Sequence, residues 1–87
     1  MMQLKEGFVL RSVAGETVVI PTGEDLDLNM MITLNDSGKL LWQRLEKGAE
    51  EADLVAALLG EYDVDEDTAQ YHVTAFLKKL RENGFIK

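Results

Sequence analysis

His72 is the only histidine in the chain, and its 87 residues include no cysteine. A metal site needs several such ligands at fixed spacing, and no second ligand stands four residues from His72, so a histidine at the surface or at a groove edge is expected and not a metal ligand. The missing cysteines also remove disulfides and thiolate nucleophiles. Ser12 and Ser37 have no base beside them in sequence, and Ser37 fits the first turn of a helix better than a nucleophile's position. The acidic run from Asp63 to Asp67 lacks the glycine and terminal glutamate of a calcium loop and reads as a helix entry. An enzymatic reading has no residues to carry it, and no cofactor is expected. What remains is non-covalent recognition.

The elements that would position such recognition follow from patterning. Phe8–Val13 and Glu16–Pro21 are β-rich runs joined through Ala14-Gly15, the shortest kind of hairpin connection. A third run, residues 28–34, places Leu28, Met30, Ile32 and Leu34 on one face and Met31 and Thr33 on the other. Asn35 then offers a side-chain oxygen to the free N–H groups of a first helical turn, and Leu41, Trp42 and Leu45 recur at helical spacing until Gly48. Glu50-Glu51 open a second helix with Leu54, Val55, Leu58 and Leu59 as its apolar stripe, broken from Gly60 to Asp63. Asp65 caps a third, in which Ala69, Val73, Phe76, Leu77 and Leu80 repeat at three- and four-residue steps before Asn83-Gly84 stops it and apolar Phe85 follows. The expected order is β-β-β-α-α-α, an α+β arrangement in one domain spanning residues 1–87.

Composition sets further bounds. With 46% apolar residues the chain builds a real but thin core, since domains of this size bury only roughly 60–65% of their unfolded surface. The start lacks the apolar run of a signal peptide, and no segment approaches the ~20 apolar residues that span a bilayer, so a cytoplasmic protein away from membranes is expected. Net charge is −7. The one local excess of positive charge is Lys78, Lys79 and Arg81, which suits the C-terminal end of a helix dipole.

The string Leu34-Asn35-Asp36-Ser37-Gly38, then Leu41-Trp42 and Leu45 with a turn at Gly48, is followed by Leu54, Leu58 and Tyr62-Asp63-Val64. With Phe76-Leu77-Lys78-Lys79-Leu80 and the ending Gly84-Phe85-Ile86, it resembles the PqqD-like family over nearly the whole chain. One departure is His72, where the family often has an acidic residue. The resemblance implies a winged-helix-like domain, a three-stranded antiparallel sheet followed by three helices, that acts as a recognition element for ribosomally made precursor peptides. Such a domain binds the leader segment and delivers the peptide to a modifying enzyme, a radical S-adenosylmethionine enzyme or a leader peptidase, and is itself non-catalytic.

The resemblance further implies that the leader lies along residues 28–34, beside the helix that begins after Asp65. An edge strand offers unpaired N–H and C=O groups, and an extended peptide pairs with them by strand addition. Met30, Met31, Ile32 and Thr33, with His72, Val73, Phe76 and Leu77, are then the expected peptide contacts, and Lys79 and Arg81 would pair with acidic leader side chains. Periodicity alone reads Met30, Ile32, Val73, Phe76 and Leu77 as core, and Trp42 as packing between sheet and helices. Two rivals stand beside this reading. One is a winged-helix nucleic-acid binder, against which the net charge and the acidic start Asp65-Glu66-Asp67 both argue. The other is a regulatory or oligomerisation module, since an open edge free of proline and charge accepts any compatible chain, including a second copy in a homodimer.

Overall fold

The computed structural model describes residues 1–22 and 32–86. β1 (Phe8–Val13), β2 (Glu16–Pro21) and β3 (Ile32–Leu34) precede α1 (Asp36–Glu46), α2 (Glu51–Glu61) and α3 (Glu66–Glu82). The sheet is antiparallel in the order β1-β2-β3, so the expected α+β arrangement is the one found. Of the run expected as a third strand, residues 32–34 pair with β2; residues 28–31, which include Met30 and Met31, lie outside the described residues.

Ala14 and Gly15 both take positive φ, 51° and 83°, which is the two-residue turn whose twist matches the flanking strands. Alanine carries a Cβ into that region at a cost of about 1 kcal/mol, whereas asparagine tolerates it. Ala14→Asn is therefore expected to stabilise the fold by about 0.5–1 kcal/mol in chemical denaturation. An unchanged or lower midpoint would show that the turn carries no strain.

The helix boundaries are fixed by local hydrogen bonds. Asn35 Oδ1 accepts from Gly38 N at 2.8 Å, and Asp65 Oδ1 accepts from Thr68 N at 2.7 Å. The neighbouring Thr68, through its side chain first and its N–H second, holds the Asp65 carboxyl below its ordinary range. Gly38 is needed for a steric reason: a Cβ there would lie 3.1 Å from the capping oxygen of Asn35 and 3.4 Å from Leu34 Cβ. The Leu-Asn-x-x-Gly string is thus the tight joint between β3 and α1. At the far end of α3, Gly84 N donates to Arg81 O at 3.1 Å and Phe85 N to Leu80 O at 2.9 Å, with Gly84 at φ 75°. This paired closure turns the chain back so that Phe85 enters the core.

α2 differs from the expectation. It runs through Gly60 to Glu61, and Leu59 is exposed instead of joining the apolar stripe. An exposed glycine in a last turn costs only about 1 kcal/mol, which the burial of Leu54, Val55 and Leu58 outweighs.

One hydrophobic cluster joins all the layers: Val19 and Leu34 from the sheet, Leu41, Trp42 and Leu45 from α1, Leu54 and Leu58 from α2, and Ala69, Val73, Leu77 and Leu80 from α3. Phe85 sits at its centre, edge-on to Phe8 at 4.6 Å and to Trp42 at 5.6 Å between ring centroids. Residues 2–5 close this end as a strap. Met2 exchanges two backbone bonds with Ala49, and Lys5 N donates to Phe85 O at 2.8 Å. Among the described residues, no helix is long and apolar enough to cross a membrane.

Candidate functional site

Among the described residues β3 lies at the edge of the sheet, and the register shows which of its backbone groups β2 leaves unpaired. In a two-residue hairpin the residues flanking the turn, here Val13 and Glu16, exchange both hydrogen bonds, and the pattern then alternates. Thr22 N donating to Gly7 O at 2.7 Å continues the same alternation past the end of β2. Glu16, Val18 and Ile20 therefore bond to β1, and Thr17 and Val19 turn their backbone groups to β3. Thr17 faces Leu34 and Val19 faces Ile32, so these pairs close the β2–β3 ladder, while Val18 opposite Thr33 is a non-bonded pair. The N–H and C=O of Thr33 consequently point away from β2, to the side of β3 on which no further strand pairs among the described residues.

That edge borders a cleft of about 600 Å³. Glu16 and Thr17 form one end, Thr33 and Leu34 the strand side, Asn35, Asp36 and Gly38 the joint to α1, and Phe76 and Lys79 the α3 side. Phe76 is half-buried, with one side packed on the core and the other in the cleft. Glu16 and Asp36 bring carboxylates to the cleft and Lys79 an ammonium. Among the described residues Lys79 makes no ion pair.

The cleft draws together some of the residues expected from sequence and separates others. Thr33, Phe76 and Lys79 line it. Ile32 is partly buried against the core, next to Thr33 on the strand. His72 stands one turn before Phe76 on the same flank of α3, but it lines a second, smaller cleft with Ser37, Leu58, Tyr62 and Val64. Val73 and Leu77 are fully buried, so nothing docked on the surface reaches them. Arg81 lies two residues beyond Lys79, a rotation of roughly 200° about the axis, and its Nη2 donates to Met2 Sδ at 3.6 Å on the strap side. Glu16, Thr17 and Asp36 are cleft residues that sequence reasoning missed. Glu16 and Thr17 come from the strand neighbouring β3, which only the register brings alongside.

No curated protein matches the chain. Among solved structures, a lasso peptide synthetase B1 complexed with its leader peptide is similar at TM-score 0.77 and 27% identity, covering 99% of this chain and 96% of that one. TbiB1 in complex with the TbiA(beta) leader peptide superposes at TM-score 0.78, over 98% of this chain and 94% of that one; at 24% identity this likeness speaks to the fold alone. Among protein families, residues 8–86 match the one described as coenzyme PQQ synthesis protein D, PqqD. The span matched runs from the first residue of β1 to Ile86, which pairs with Leu4 beyond the end of α3, and on it the chain belongs to the PqqD family.

Proposed function

We propose that this protein is a non-catalytic recognition element, a single unit that binds the leader segment of a precursor peptide by strand addition to β3 and delivers the peptide to a modifying enzyme. The observation that carries the reading is the outward-facing backbone of Thr33 beside a cleft whose other wall is Phe76 and Lys79. An extended peptide pairing there places alternate side chains toward α3, where Phe76 offers apolar contact and Lys79 attracts a carboxylate. The likeness to a leader-bound lasso peptide synthetase B1 supports the same reading. Backbone pairing supplies affinity that tolerates sequence variation, and the α3 wall supplies selectivity. Because a second copy competes for the same edge, self-association is expected to weaken as peptide saturates the site.

Calorimetric titration with leader peptides from short reading frames beside the gene, with duplex DNA as control, tests this directly. Saturable one-to-one peptide binding is expected, with chemical-shift changes at Ile32–Leu34 and at Phe76 and Lys79. Absence of peptide binding overturns the reading. The cleft also separates two cations that sequence alone could not rank. Lys79→Glu is expected to weaken an acidic leader by about 1 kcal/mol, roughly fivefold in Kd, because an exposed pair contributes up to about that much and the reversal adds repulsion. Arg81→Glu, on the other side of α3, is expected to leave Kd within twofold. Equal losses from both variants would mean that only net charge is being sensed.

A further inference from the structure

Of the six large apolar side chains exposed among the described residues, Met1 and Val13 belong to the N-terminus and the hairpin, and the other four fall in one stretch of the chain. Leu59, Tyr62, Val64 and Tyr71 all lie between the last turns of α2 and the second turn of α3, with Tyr62 39% and Tyr71 71% exposed. Tyr62 and Val64 wall the smaller cleft, of about 170 Å³, with Leu58 at its base and His72 at its side. The Tyr71 and His72 rings stand edge to face at 5.8 Å, which ties Tyr71 to the same patch. Exposed aromatic groups around a small apolar recess resemble the centre of a protein interface more than a solvated surface.

The charge around this patch is one-sided. From Gly48 to Leu77 the sequence has no lysine or arginine and eight carboxylates, of which Glu61, Asp63, Asp65, Glu66 and Asp67 are exposed around the α2–α3 connection. Among the described residues none of these five is ion-paired. An apolar centre within an anionic rim selects a partner with an apolar knob ringed by lysine and arginine, and it excludes nucleic acid and other acidic surfaces.

We infer that the Tyr62–Val64–Tyr71 patch docks a basic-rimmed surface of the enzyme that acts on the bound peptide. This rests on the recognition role proposed above. His72 and Phe76 are one helical turn apart on the same flank of α3, and Ser37 and Asp36 are adjacent on α1, so the docking patch abuts the peptide cleft. An enzyme seated there meets the peptide where it leaves the strand edge. Binding energy comes from the apolar centre, whereas the carboxylate rim sets orientation and association rate and makes the complex salt-sensitive.

The test uses the full chain, a leader peptide and the purified peptide-modifying enzyme encoded beside it. Tyr62→Ser combined with Tyr71→Ser is expected to weaken enzyme binding at least tenfold, with leader Kd unchanged within twofold and the circular dichroism spectrum intact. Asp63→Lys combined with Asp67→Lys, both exposed and away from the core, is expected to slow association and flatten its dependence on salt. Enzyme affinity unaffected by either pair, or no enzyme binding by the wild-type chain, overturns the inference. So does a parallel loss of leader affinity, which would make the recess part of the peptide site. If the enzyme binds through this patch but no leader peptide binds, the recognition role fails and the docking surface stands.

Discussion

Thr33→Pro is expected to weaken leader-peptide binding by about 2 kcal/mol, some thirtyfold in Kd, while leaving the fold in place. Proline deletes the Thr33 N–H, which faces the open edge, so the peptide's carbonyl loses its partner at the moment it is desolvated. The internal ladder is spared, because Ile32 and Leu34 keep their bonds to Val19 and Thr17, and an edge strand tolerates proline where its N–H points away from the sheet. Thr33→Val keeps the N–H and is expected to bind normally, which separates backbone loss from side-chain loss. Titration calorimetry on both variants checks the result. Normal binding by folded Thr33→Pro would remove β3 as the peptide's partner.

The second large effect is on stability. Phe85→Ala is expected to cost about 3–5 kcal/mol in chemical denaturation, a large share of the roughly 5–15 kcal/mol that holds a domain together. Phe85 is fully buried, its ring is the edge-on partner of both Phe8 and Trp42, and its N–H closes the end of α3 onto Leu80. Alanine keeps the backbone closure and leaves a cavity where three elements and the strap converge, a site with little freedom to collapse. A loss below about 1 kcal/mol would show that the rings repack without it. Phe85 lies outside the peptide cleft, so at temperatures where the variant stays folded its leader affinity should match that of the wild type.

The two variants report on different physical layers, and the same division runs through how much of the molecule is legible in its sequence. Helix starts and stops are local events. Asn35 reaches Gly38, Asp65 reaches Thr68, and Gly84 with Phe85 reaches back to Arg81 and Leu80, all within five residues. The Ala14-Gly15 turn is equally local. Residue types chosen for such contacts carry their meaning in sequence, which is why β1, β2, α1 and α3 could be read from it. The end of α2 is not legible in the same way, because a glycine's small local penalty is outweighed by tertiary burial that sequence does not display.

The amino-acid sequence by itself determined the order of the elements, the apolar stripes of α1 and α3, and the identity of the joint at Leu34–Gly38. It could not rank the faces of α3, because Val73, Phe76, Leu77, Lys79 and Arg81 all flank one stripe and periodicity reports only that the stripe is covered. Packing made the choice: α3 seats Val73 and Leu77 in the core, turns Phe76 and Lys79 toward the edge of β3, and leaves Arg81 beside the strap. Which backbone groups of β3 are free was likewise decided by pairing, since the alternation starts at the hairpin turn and reaches Thr33 only through β2. Sequence specifies contacts a few residues apart through caps and turns, whereas a site shared by a strand and a distant helix exists only once the core has fixed their rotation and register.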